Sequence, residues 1–331
     1  MRVTGILFLI MPVAMILTQC GNSKSNENAD HVSQTGQVAQ LEATDGRFRP
    51  RAAESSKLNR IVNLYDAFGE ERKGVQLDWG FAAFIEYRGQ TILFDGGNSP
   101  EILSQNALAL GIDLTRVDIA ILSHRHPDHA SGLDYLIRVN PRIKLFLPND
   151  TALGGPEPFG LRAVPDDVMQ SLPVKQRYFR EPTTTIDYDP GDRFWGANTE
   201  FVVSSREIAP GVNLIVTMNQ QFNIHELSLA LKTDDGTVLV TGCSHSGLPT
   251  ILRETIQQID ESVDLVVGGY HLAWRPIEQI SELARSLKTE FQVTRVAPAH
   301  CSGHTAFKVF QDVFSEEFLF FGLGSEIELA R

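Results

Sequence analysis

Three histidines and an aspartate, His124, His126, Asp128 and His129, fall within six residues directly after the apolar run from Val117 to Leu122. Histidine supplies only 9 of 331 residues, so this concentration at the end of a candidate strand is not a by-product of composition. Neutral imidazole and carboxylate suit zinc and similar divalent ions. Residues two apart in an extended segment face the same way, which would bring His124 and His126 onto one ion. Pro127 would then turn the chain and re-aim Asp128 and His129 toward a neighbouring position. A solvated polar loop is the plainer explanation, but three imidazoles beside a buried strand are an odd choice for solubility alone.

The chain around the cluster reads as alternating strands and helices. Ile61 to Phe68, Gly80 to Tyr87 and Gln90 to Phe94 have strand patterning, and Ser99 to Leu110 reads as a helix ending at Gly111. A helix from Ser131 to Val139 and a strand from Ile143 to Leu147 follow the cluster. Residues 149–200 interrupt this rhythm with Pro156, Pro158, Pro165, Pro173, Pro182 and Pro190. Such an insertion either shapes a pocket, through Phe159, Tyr178, Phe179 and Trp195, or is a surface excursion.

A second run begins with strands Leu227 to Thr233 and Thr237 to Thr241 around the hairpin signal Asp234-Asp235-Gly236. Helices are expected from Leu248 to Ile259 and Pro276 to Leu287, and strands from Val263 to Val267 and Val293 to Pro298. Cys243 and His245, then His271, then His300, Cys301 and His304 each follow a strand. Eight of the 9 histidines thus lie at strand ends or nearby turns, His225 being the least convincing. In layered α/β proteins the loops at strand carboxyl ends meet in one crevice, so a single site could use most of them.

Composition narrows the partners. A formal net charge of -12 argues against a nucleic-acid surface, and 42% apolar residues supply a sizeable core. Residues 1–20 read as a lipoprotein-type signal peptide: Arg2, an apolar stretch from Gly5 to Leu17, then Leu17-Thr18-Gln19-Cys20. Gln19 departs from the small residue that such cleavage boxes prefer, leaving ordinary signal peptidase cleavage or an uncleaved anchor as alternatives. Residues 21–55, polar and holding the lone His31, read as a disordered tether, and residues 56–331 as the folded domain. Lipid on Cys20 would tie an exported protein to a bacterial membrane; without it the protein would be periplasmic or extracellular. With only Cys243 and Cys301 beyond Cys20, a disulfide framework does not stabilise the fold, although one Cys243 to Cys301 bridge is conceivable.

The cluster His124, His126, Asp128, His129 matches the signature of metallo-β-lactamase superfamily hydrolases, and Leu93-Phe94-Asp95-Gly96-Gly97 resembles their upstream strand-end motif. Trp79 to Ala83, Thr241 to His245, Gly268 to Leu272 and His300 to Gly303 are similar to the dihydropterin ribofuranosyl-aminobenzene phosphate synthase-like branch. The resemblance spans residues 60–331. It implies an α/β fold, the αβ/βα sandwich of two mixed sheets flanked by helices, with two divalent metal ions, zinc by ligand chemistry, along one edge. Carried over residue by residue, His124, His126 and His245 would hold the first ion, and Asp128, His129 and His300 the second.

Where many members carry a bridging aspartate, this chain has Cys243. It is either a thiolate ligand or a small buried residue that leaves the bridge to hydroxide alone. Cys301 is expected behind the ligands or in the core, Asp95 as an orienter of ligand histidines, and His304 near the next helix start. His271 would contact substrate or give a proton to the leaving group, or else hydrogen-bond behind a ligand. The implied reaction is attack of a metal-bound hydroxide on an ester, phosphodiester or related bond of a small molecule, phosphorylated or pterin-like, with Asp128 as the catalytic proton acceptor. The rivals are an iron-dependent oxidoreductase or sulfur dioxygenase on the same scaffold, and a lipoprotein that binds a ligand without turnover.

Overall fold

Strands whose two faces are both apolar must be covered on both sides, and this dictates the layers. The computed structural model describes residues 59–150, 159–160, 164–180, 185–186 and 198–330. The expected export signal with Cys20, the expected tether with His31, and Trp195 lie outside the described residues, as does the side chain of Phe159.

In chain order the first half contains β1 (Arg60–Tyr65), β2 (Ala82–Tyr87), β3 (Gln90–Phe94), α1 (Pro100–Ala109), β4 (Ile119–Ile121), α2 (Pro127–Ala130), α3 (Leu133–Val139) and β5 (Lys144–Pro148). The insertion region contributes β6 (Phe159–Gly160), α4 (Asp166–Ser171) and β7 (Thr185–Ile186), followed by β8 (Thr199–Val202) and β9 (Arg206–Ala209). The second half comprises β10 (Val212–Asn219), β11 (Ile224–Thr233), β12 (Gly236–Thr241), α5 (Leu248–Ile259), β13 (Val263–Gly269), α6 (Ile277–Thr289), β14 (Arg295–Ala299), α7 (His304–Phe314) and β15 (Glu326–Glu328).

Two mixed sheets result, ordered β15-β1-β2-β3-β4-β5-β8 and β14-β13-β12-β11-β10-β9, with β6 and β7 forming a separate pair. Along β2, Ala83, Ile85 and Tyr87 enter the layer shared with Leu227, Leu229 and Leu231 of β11, so the sheets pack face to face. Ala82 and Phe84 point the other way, into a layer with Leu103 of α1 and Leu133, Leu136 of α3. The second sheet is covered likewise: Leu239 and Val266 meet Ile251 and Leu252 of α5, Ala284 of α6 and Phe310 of α7. Each such fully buried large apolar side chain contributes roughly 1.5–3 kcal/mol. This is the αβ/βα arrangement that the family resemblance implies.

The expected elements recur with shifts of a few residues; α5 matches its expected bounds, and Ser99 caps α1 by accepting from the Ile102 amide. The sequence reading missed β8, β9, β10 and β15. Three of these edge or hairpin strands are only 3 to 4 residues long. Short segments of that kind carry too few alternations to be recognised. Among the described residues no helix is long and apolar enough to cross a membrane.

Candidate metal centre

The carboxyl ends of β3, β4, β12, β13 and β14 converge and deliver, respectively, Asp95, the 123–129 segment, Cys243 with His245, His271, and His300. Strand β4 ends at Ile121, so His124 and His126 occupy a bend and not the strand, which corrects the two-residue periodicity argument. What aims them is a hydrogen-bond scaffold. Ser123 donates from its amide to Asp95 Oδ1 at 2.6 Å and from Oγ to Asp95 Oδ2 at 2.7 Å. His124 Nδ1 lies 2.9 Å from Ser123 Oγ, so the protonated nitrogen faces the hydroxyl and Nε2 is left to face the site. Pro127 starts α2 with His126 as its N-terminal flank, and this turn carries Asp128 and His129 inward, as expected.

Two donor sets form. His124 Nε2 is 2.9 Å and His245 Nε2 3.2 Å from His126 Nδ1, placing His124, His126 and His245 around one point. Beside it, His300 Nε2 lies 3.1 Å from His129 Nε2 and 3.4 Å from Asp128 Oδ2, which groups Asp128, His129 and His300. His129 turns its other nitrogen, Nδ1, to Asp95 Oδ2 at 2.7 Å. Asp95 therefore orients one histidine of each set, directly for His129 and through Ser123 for His124, a use of carboxylates that fixes tautomer and ring direction.

The protonation pattern suits cation binding. Burial, reinforced by His129 and His126, holds His124 well below the ordinary histidine range. Burial and His271 do the same to His245. Burial alone would raise the Asp128 carboxyl, but His129 and His300 outweigh it and hold Asp128 below the usual carboxylate range. Burial also opposes charge on His129, yet Asp95 and Asp128 prevail and push it up to about 9. In the first set His124 and His245 are neutral imidazoles, and in the second the carboxylates that favour a proton on His129 would equally favour a cation in its place.

Donor chemistry and spacing both fit divalent ions. Two imidazole nitrogens, each ~2.05 Å from one tetrahedral ion, would lie about 3.3 Å apart. The nitrogen pairs here are 2.9 to 3.2 Å apart, and several face one another with no apolar group between. Buried His300 Nδ1 has no hydrogen-bond partner, so Nε2, its nitrogen on the Asp128 side, is the one with a role.

Backbone strain concentrates at these strand ends. Asp95, Ser244, His271 and His300 all have left-handed backbones, with φ of 62°, 62°, 54° and 46°. Such residues cost energy and persist only where surrounding contacts hold them. Those contacts include two carboxylates the sequence reading overlooked. Asp66 Oδ2 accepts from the His300 amide at 3.1 Å, and Glu226 accepts from the His245 and Ser246 amides, each at 2.6 Å. Burial raises both carboxyls. A charged residue inside an apolar strand run, Asp66 before Ala67-Phe68 and Glu226 before Leu227, was the available signal. Gly242 allows the close meeting of the two sheets: a Cβ there would lie 2.0 Å from Ser123 Oγ.

The remaining expectations divide. His271 is half-buried, its ring 4.2 Å from that of His245 and 4.9 Å from that of Trp274, at the wall of a cavity of about 270 Å³. Trp79, Phe222 and Trp274 supply the aromatic lining, whereas Tyr178 is wholly buried behind the site. Tyr178 donates its hydroxyl to the His300 carbonyl and packs against Trp79, so this described part of the insertion buttresses His300 from behind. His304 begins α7 and accepts from the Tyr178 amide at 3.0 Å, outside both donor sets. His225 is likewise absent from them. Arg125, between the cluster histidines, donates to the carbonyls of Phe222 at 3.2 Å and Asn223 at 3.0 Å, holding the β10–β11 turn at the cavity mouth. Cys243 and Cys301 are free thiols with Sγ atoms 3.2 Å apart, so the conceivable disulfide is not formed.

Comparison with known proteins agrees with this geometry. The chain is 29% identical over 241 residues, 69% of its own length and 80% of the relative's, to the 7,8-dihydropterin-6-methyl-4-(beta-D-ribofuranosyl)-aminobenzene-5'-phosphate synthase of Methanocaldococcus jannaschii. An uncharacterised protein of the same archaeon is 27% identical over 233 residues, 69% of this chain and 85% of that one. Among solved structures, a metal-dependent hydrolase of the beta-lactamase superfamily superposes with a TM-score of 0.61 at 24% identity, covering 82% of this chain and 100% of that one, a likeness of fold. The description "Metallo-beta-lactamase superfamily" matches residues 80–300, which include all six site histidines, His124, His126, His129, His245, His271 and, as the last residue, His300. With that match extending over most of the folded region, the chain belongs to the metallo-beta-lactamase superfamily.

Proposed function

We propose that this protein is a metal-dependent hydrolase of a small ester, phosphodiester or related substrate, and that each donor set holds one divalent ion. The observation that carries this reading is the pairing of His124, His126, His245 with Asp128, His129, His300, of which His126, His245, Asp128 and His300 line one cavity. Divalent ions, when bound there, supply Lewis acidity and lower the pKa of water.

The chain's own groups have separate tasks. Asp128, held ionised by His129 and His300, accepts the proton released as water attacks. His271, at the cavity wall, faces the substrate and gives a proton to the leaving group. Trp79, Trp274 and Phe222 exclude water and hold the apolar body of the substrate. A phosphorylated or pterin-like molecule is the substrate class that the named relative favours. The N-terminal sequence supports export and a lipid on Cys20, which would keep this chemistry at a membrane surface.

The test is elemental analysis of the purified protein combined with turnover of an ester and phosphodiester panel before and after chelation. About two zinc or similar ions per chain, with activity lost on chelation and restored by the metal, is the expected result. One iron with dioxygen-dependent turnover would replace the hydrolase by an oxidoreductase, and tight ligand binding with no turnover would leave a binding protein.

A further inference from the structure

Cys243 is placed at the strand end between the two donor sets, and its surroundings are those of a ligand. Resting on the two-ion reading above, we propose that the Cys243 sulfur is a ligand shared by both metal positions.

Cys243 Sγ groups with His124 and His129, with His245 and His271, and with His300 and Cys301, all ligand atoms within each group lying within 4.8 Å of one another. It is therefore within reach of two donors of the first set, His124 and His245, and two of the second, His129 and His300. His129 Nε2 is 3.2 Å from the sulfur. A nitrogen and a sulfur held by one tetrahedral ion would be about 3.6 Å apart, so the observed approach is compatible with a common ion. Cys243 also packs into the apolar layer between the sheets, so its sulfur sits where that layer meets the donors.

Local structure also directs the sulfur inward. Cys243 lines the cavity although only 4% of its surface is exposed. Ser244, with φ of 62°, separates Cys243 from His245, and its hydroxyl is tied to the Gly269 carbonyl at 2.8 Å. That anchored bend lets both neighbours of Ser244 point into the site. Cys301 donates its S–H to Cys243 Sγ at 3.2 Å from the β14 side. One hydrogen bond to the sulfur leaves its remaining lone pairs for the donor-rich side. Thiolate is a ligand zinc accepts readily, and as an anion it would offset charge on two ions at once.

The test is spectroscopic and independent of turnover. Cobalt(II)-loaded protein should show a near-ultraviolet thiolate-to-cobalt charge-transfer band that disappears in Cys243→Ser and persists in Cys301→Ser. X-ray absorption at the zinc edge of the unmodified protein, which does not depend on a variant folding, should show about one sulfur per zinc at ~2.3 Å. A wild type holding two ions with no sulfur neighbour, or a band retained in Cys243→Ser, overturns the shared ligand and leaves the two donor sets standing. About half a sulfur per zinc would make Cys243 a ligand of one ion and also overturn the sharing. A protein that takes up no metal fails both readings.

Discussion

The two sheets build their halves of the site in opposite ways. The first delivers His124, His126, Asp128 and His129 from one seven-residue excursion after β4, tied back to a single carboxylate, Asp95. The second delivers Cys243 with His245, His271 and His300 from three separate strand ends, with left-handed residues at each: Ser244, His271 and His300. A contiguous half needs one turn to be right. A distributed half needs the sheet register, the bends and their buried supports, Glu226 and Asp66, to be right together. The seam between the halves is correspondingly tight: the Leu227 amide of the second sheet donates to the Ser123 carbonyl of the first at 2.7 Å.

The largest expected effect comes from the contiguous half. Asp128→Asn keeps shape but removes the proposed proton acceptor, and should lower kcat on the order of 10³-fold with unchanged circular dichroism. Near-normal kcat in that variant would move the chemistry to the second sheet.

On the distributed side, the largest effect is on stability. Burial, followed by the Arg177 charge, lowers His304 to about 4, against an unfolded value near 6.5. The unfolded chain therefore binds this proton first as pH falls, so the contribution is present above about pH 6.5 and is lost toward pH 4. The shift corresponds to about 3 kcal/mol. Urea unfolding of metal-free wild type and His304→Gln at pH 7 and pH 4.5 measures it: the variant should show a smaller acid loss, because it cannot titrate yet can still accept from Tyr178. Equal losses in the two proteins would detach His304 from the fastening of the insertion.

The smallest effect compares the supports directly. Asp95→Asn should weaken metal binding roughly 10- to 100-fold, by loosening one histidine of each donor set. Glu226→Gln, at a residue that bonds the His245 and Ser246 amides and the Ser246 hydroxyl but no ligand side chain, should cost less. Metal-competition titrations of the two variants rank them, and a larger loss in Glu226→Gln would mean that the distributed half controls affinity.

Legibility in the sequence followed the same division. His124, His126, Asp128 and His129 announced themselves because ligand-type residues were crowded beside an apolar strand. His245 and His300 could be paired with them only through a family resemblance, since 119 and 171 residues separate their contacts with His126 and His129. Asp66, Glu226 and the role of Tyr178 were missed, because a single polar residue in an apolar run does not say which backbone amide or carbonyl it will meet. His124 and His126 do lie together, but the cause is the scaffold of Asp95 with Ser123 and not a strand pleat.

By itself the sequence determined the layered α/β plan, through apolar runs and their turns, and the presence of metal-type chemistry, through residue types no core or surface requires. The tertiary structure alone decided which nitrogen of each histidine faces the site, which carboxylates support it, and that Cys243 lies among donors from both sets. The physical reason is that composition and periodicity act locally along the chain. Ligand direction depends on angles and hydrogen bonds fixed only when the strand ends of two sheets meet.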